Sequence, residues 1–265
     1  MRPERVGMTA LYALPAWLML LLAVAAAVGI ALGGQILVHR RLRPADFVAS
    51  NDVAGFMITV VGTLYAVVLG FITVIVWQEF DASQQRVAAE AAAATDVWHM
   101  ANSLPAPAGP QLKGIVVSYA RAMVGDEWPA MQRGRTSRDG GALLERAYNS
   151  VGGFSPADFR SSNLQAAILR RLNEVHDDRR RRLQDNQSGV ASFEWFILLI
   201  GAMVVIGFCY IFGVKNTRAH LIMTSAVAMI IMVMVVLIFE LDYPFRGDLA
   251  VTSEPWTTFL SEQSR

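Results

Sequence analysis

The sequence predicts an all-α membrane protein, with four transmembrane helices and a helical extramembrane bundle between the second and third. Three observations carry this. Of the 265 residues, 54% are hydrophobic and only 17% charged, where soluble domains carry roughly 25% charged residues. Four apolar runs approach or exceed the length of about 20 residues that crosses a bilayer. The polar stretch between the second and third runs is rich in helix formers and lacks the alternation of a strand.

The first run, Leu11 to Val38, contains no Asp, Glu, Lys or Arg. Arg2 and Arg5 precede it, and Ala25 to Ala27 are small, as in a signal peptide. The run is far longer than an apolar signal core of about 7–15 residues, and the basic "HRRLR" follows it, so an uncleaved span is expected. The second run is Val53 to Trp77 and the third Trp195 to Val214. The fourth, Leu221 to Phe239, has Lys215 and Arg218 in the turn before it and Pro244 after it to help stop the helix. Residues 1–77 thus hold transmembrane helices one and two, and 78–192 the bundle. Residues 193–243 hold helices three and four, and 244–265 form a polar C-terminal tail.

Inside the bundle, "DASQQRVAAEAAAATDVWHM" (81–100) has no Gly or Pro. The second span is therefore expected to continue outward as one long helix, ended by the prolines of "LPAPAGP" (104–110). Leu112, Ile115, Val116, Tyr119 and Met123 recur at helical spacing and predict an amphipathic helix. "GDEWPAMQRGRTSRDGG" (125–141) reads as a loop and 142–150 as a short helix. A longer helix is expected from Pro156, with Leu164, Ile168, Leu172 and Val175 on one face and a break near Ser188 and Gly189.

The chain carries few catalytic signals. It has no G-x-S-x-G, P-loop or H-E-x-x-H motif, and no cofactor is implied. None of His39, His99, His176 and His220 has a second His or Cys at metal-ligand spacing. His99 and His176 flank the bundle and could meet as a surface pair. The single cysteine, Cys209, lies in an apolar run and reads as packing. A net charge of +1 implies no nucleic-acid partner. The run Arg179 to Arg182 reads as a solvated helix face or a contact for anionic lipid headgroups.

"NDVAGF" (51–56), "VVGTLYAVVLGF" (60–71) and "VWQEF" (76–80) together resemble the signature of the bacterial bestrophin-like membrane-protein family. "DEWPAM", "RRRRL", "ELDYPFRGDL" and "SEPW" follow in the same order, so the resemblance spans nearly the whole chain. It implies a multi-pass bacterial inner-membrane protein, related by analogy to anion-conducting bestrophins, which are pentamers with the second helix lining the pore. The partners it implies are membrane lipid, small ions such as chloride, and further copies of the same chain. Non-conducting scaffolding or sensing, with the bundle binding a partner, is the alternative.

Two constellations bear on that choice. Gly55, Thr59, Gly62, Ala66, Gly70 and Thr73 recur at steps of three and four and form one stripe of small residues along the second helix. Such a stripe either admits a close neighbouring helix or, with Asn51 at its head, lines a pore with hydroxyls for a dehydrating ion. Glu79, Asp81, Glu194, Glu240 and Asp242 all fall on one membrane face, as solvated helix ends, as salt bridges (Arg246 being a possible partner), or as a cation vestibule. A ring of unpaired carboxylates would oppose chloride. The short loops, 39–52 and 215–220, hold five Lys or Arg. They place themselves in the cytoplasm and the bundle outside by the positive-inside rule.

Overall fold

The computed structural model describes residues 12, 14–41, 51–214 and 216–263. Arg2 and Arg5, and Arg43 and Lys215 of the short basic loops, lie outside the described residues. Helices α1 (Ala16–Arg41), α2 (Asn51–Met100), α7 (Ser192–Tyr210) and α8 (Thr217–Asp242) are each long and apolar enough to cross a membrane. Between them come α3 (Ala108–Ala122), α4 (Trp128–Gln132), α5 (Asp139–Gly152) and α6 (Phe159–Asp185). A last helix, α9 (Glu254–Gln263), closes the chain. There is no strand among the described residues.

The chain forms two compact units, residues 1–78 with 190–242, and 79–189 with 243–265. In the first, α1 packs along α8, and α7 packs on α8 and α1. Two glycines set how closely these helices approach. A Cβ on Gly201 would stand 2.3 Å from the Tyr65 ring, and one on Gly34 2.7 Å from the Tyr210 hydroxyl. Tyr65 thereby packs against α7 and donates its hydroxyl to the Leu198 carbonyl at 3.2 Å. At the other rim the Tyr12 ring stacks on Phe239 with centroids 4.6 Å apart.

The second unit is a helical bundle around one apolar core that includes Val87, Val97, Leu112, Met123, Met131, Ile168 and Leu172. Its α2 segment is the unbroken continuation expected from the Ala-rich sequence, and a single 3-10 turn, Ala101–Ser103, ends it before the prolines. Helix α6 starts at Phe159, because Asp158 caps it: the carboxylate accepts from Ser161 N at 2.7 Å, and Ser161 Oγ accepts from Asp158 N at 3.2 Å.

Two expectations change here. The stretch 125–141 is mostly ordered rather than loop: a π-turn (Met123–Glu127) runs into α4, and α5 already begins at Asp139. Trp128 and Met131 are the reason, since both are buried in the core and hold the segment down. Residues 244–265, polar on average, carry Phe245, Trp256 and Phe259 into the same core. A mean polarity conceals three large aromatics at the spacings that reach it.

Candidate functional site

The membrane half of α2 is sparsely covered within its own unit. Tyr65, Leu69 and Val76 make its buried edge, while Phe56, Leu64, Phe71 and Trp77 are exposed. The small-residue stripe lies off that buried edge. A Cβ on Gly62 or Gly70 would meet nothing within 4 Å, and one on Gly55 would only touch Phe212 at 4.0 Å. Ala66 and Thr59 are exposed and Thr73 is half-buried. Both threonine hydroxyls donate to their own helix, Thr59 to Gly55 O and Thr73 to Leu69 O, each at 2.8 Å. Their oxygens can accept a bond, but their protons are spent. Asn51 does something different from its neighbours on the stripe. Its amide grips the turn after α7, Nδ2 donating to Gly213 O at 3.0 Å and Oδ1 accepting from Gly213 N at 2.9 Å.

The acidic residues occupy unlike environments. Glu79 and Asp81 are exposed, and Asp81 accepts from Gln85 Nε2 at 2.8 Å. Glu194 is exposed and accepts from Ala191 N at 3.0 Å at the start of α7. Glu240 and Asp242 are buried, and Asp242 accepts from Val190 N. Arg246 donates to the Asn186 carbonyl at 2.8 Å and lies over the Tyr243 ring.

The most concentrated electrostatics are in the bundle, where four elements meet. Arg182 of α6 donates to Glu90 of α2 through Nε (2.7 Å) and Nη2 (3.1 Å), and Nη2 also reaches Glu127 of the π-turn at 3.3 Å. Arg179 donates to the other Glu127 oxygen at 2.7 Å. The Tyr119 hydroxyl of α3 donates to Glu90 at 2.6 Å. Two carboxylates and two guanidiniums thus balance one another, with Glu90, Glu127 and Arg182 fully buried and Arg179 partly open to solvent. Burial opposes the charge on Arg182, but Glu90 and then Glu127 outweigh it and hold the guanidinium charged. Burial, and next the Glu90 carboxylate, push the Tyr119 hydroxyl well above its usual range.

The solvated-face reading of Arg179 to Arg182 therefore holds only for Arg180 and Arg181. Sequence patterning contained the signal. Ile168, Leu172, Val175, Arg179, Arg182 and Asn186 continue one helical stripe at steps of four and three, and so do Val87, Glu90, Ala94 and Val97. A charge in register with an apolar face marks a buried ion pair. His99 and His176, expected as a pair, take separate neighbours: His99 lies edge-on to Trp98 at 5.1 Å and His176 to Tyr148 at 6.5 Å.

The family model for the bestrophin-like domain matches residues 16–256. The chain belongs to the bestrophin-like family. Solved structures of a bacterial bestrophin homologue from Klebsiella pneumoniae share its fold. One point mutant is similar over 93% of this bestrophin-like chain and 98% of its own, with TM-score 0.65 at 16% identity. Another covers 88% and 96%, with TM-score 0.64 at 14% identity. No curated protein matches the chain. The bestrophin-like chain is accordingly a membrane protein of all-helical, bestrophin-type fold.

Proposed function

We propose that this protein is an ion channel that works as a homo-oligomer, with the membrane half of α2 facing the conduction path. The observation that carries the reading is the open space beside Gly62 and Gly70. Among the described residues Gly62 and Gly70 make no close helix contact, whereas Gly34 and Gly201 do. A face of small side chains left free in the protomer suits the axis of a symmetric assembly, where several copies converge and volume must be left for an ion. Gly55, Thr59, Gly62, Ala66, Gly70 and Thr73 are the lining residues, and Asn51 positions the helix mouth by gripping Gly213. Residues 78–192 stand outside the membrane.

Anion passage follows from the family analogy. Glu240 and Asp242 are compatible with it because they are buried, while exposed Glu79, Asp81 and Glu194 would favour cations if they ringed the path. Liposomes containing the purified protein, assayed for chloride against potassium flux, test both points. Flux of neither ion would remove the channel and leave the scaffold.

A further inference from the structure

The first unit contains buried polar side chains that neither packing nor conduction uses. Gln35 and His39 stand one turn apart on α1, and His220 and Thr224 one turn apart on α8, the helix along which α1 packs. Gln35, His220 and Thr224 are buried, and His39 has a buried Nε2. Among the described residues, both Gln35 amide atoms, His39 Nε2, His220 Nδ1 and Thr224 Oγ1 have no hydrogen-bond partner. Native interiors rarely leave one such group unsatisfied without an ion or water to explain it. Five atoms on two facing turns call for a ligand.

The arrangement of His220 says which kind. Its Nε2 lies 2.7 Å from the Cys209 carbonyl. A carbonyl can only accept, so Nε2 carries a proton, and Nδ1 is the ring nitrogen left to offer a lone pair to a ligand. A histidine whose far nitrogen donates to a backbone carbonyl is oriented as metal-binding histidines are. The His39 and His220 ring centroids are 5.2 Å apart and the planes tilted by 43°. Two imidazoles bound tetrahedrally to one zinc, at Zn–N distances of about 2.0–2.1 Å, place their centroids about 5.2 Å apart. No group of three His, Cys, Asp or Glu is near enough to share an ion among the described residues, so a third donor must be of another type, and the buried amide oxygen of Gln35, one turn from His39 on α1 and without a hydrogen-bond partner, can supply it. Arg40, Arg41 and Arg218 near this end are exposed to solvent, which screens their repulsion of a cation.

We propose that His39 Nε2, His220 Nδ1 and Gln35 Oε1 bind a first-row divalent transition metal ion of the zinc class, bridging α1 and α8. Imidazole suits zinc, copper and nickel, and water or a small anion takes the fourth position. The ion ties the end of α1 to the start of α8.

The test uses the full chain in detergent, stripped by chelator and titrated with Zn2+ by calorimetry and with Co2+ by visible absorption. One ion per chain is expected, with the intense visible bands of tetrahedral Co2+. His39→Ala and His220→Ala should each weaken Zn2+ binding by about a hundredfold or more, since even a lost outer-shell partner costs about 10–100-fold. His99→Ala and His176→Ala, in the other unit, should bind as the parent does. If His220→Ala fails to fold by circular dichroism and elution volume, the half-buried His39→Ala decides. Absence of binding in the parent, or unchanged affinity in His39→Ala, overturns the site. Neither readout depends on ion flux.

Discussion

Arg182 meets Glu90 through two parallel hydrogen bonds, of 2.7 and 3.1 Å, with both side chains wholly shielded from solvent. The pair joins the outward extension of α2 to α6 across 92 residues of sequence. Removing one partner of such a pair strands a buried charge and costs about 3–5 kcal/mol. Glu90→Leu and Arg182→Met should each lower the unfolding midpoint strongly. The double variant should lose less than the sum, although Glu127 then keeps only Arg179. Thermal unfolding of all three in detergent, followed by circular dichroism, measures the coupling, and strict additivity would refute the pairing.

Tyr119 gives an alkaline limb. Its folded-state pKa is raised, first by burial and then by Glu90, so the fold favours the neutral phenol. That stability is complete below the unfolded tyrosine value of about 10 and is lost as pH rises beyond it, because the unfolded chain releases the proton more readily. Unfolding midpoints from pH 8 to 11.5 should fall more steeply in the parent than in Tyr119→Phe. Parallel curves would remove the contribution.

Gly62 and Gly201 should respond in opposite ways to the same kind of change. Gly201→Ala drives a Cβ into the Tyr65 ring and should cost about 1–3 kcal/mol as an overpacked contact, visible as a lowered unfolding midpoint. Gly62→Leu meets open space in the chain. If the stripe faces a conduction path, it should abolish flux in liposomes with oligomer size unchanged. Loss of the oligomer instead would assign the stripe to packing between copies.

Orientation can be read chemically. The native Cys209 is buried, so a cysteine introduced at exposed Thr136 is the reactive thiol. The basic short loops expect an impermeant maleimide to label it from outside intact spheroplasts. Labelling only after membrane disruption puts the bundle in the cytoplasm.

Neutralising the exposed acids separates the two ion preferences. Glu79→Gln with Glu194→Gln should raise chloride relative to potassium flux if the carboxylates border the path. An unchanged ratio would leave them as solvated helix ends.

By itself the sequence determined the four apolar helices, the unbroken run of α2 from Asn51 to Met100, and the family. These rest on local signals: uncharged runs, an alanine-rich stretch without Gly or Pro, and a motif contiguous over 51–80. Only the tertiary structure decided which polar residues face inward together. Glu90 and Arg182 were legible singly, as charges on apolar stripes, but their pairing joins distant helices. His39 and His220 are further apart still, and no spacing rule connects them. The same holds for the glycines. Sequence shows many along the spans, yet only packing distinguishes Gly34 and Gly201, where a Cβ would collide, from Gly62 and Gly70, where it would not. Close approach is a property of two helices, and one helix's sequence records only half of it.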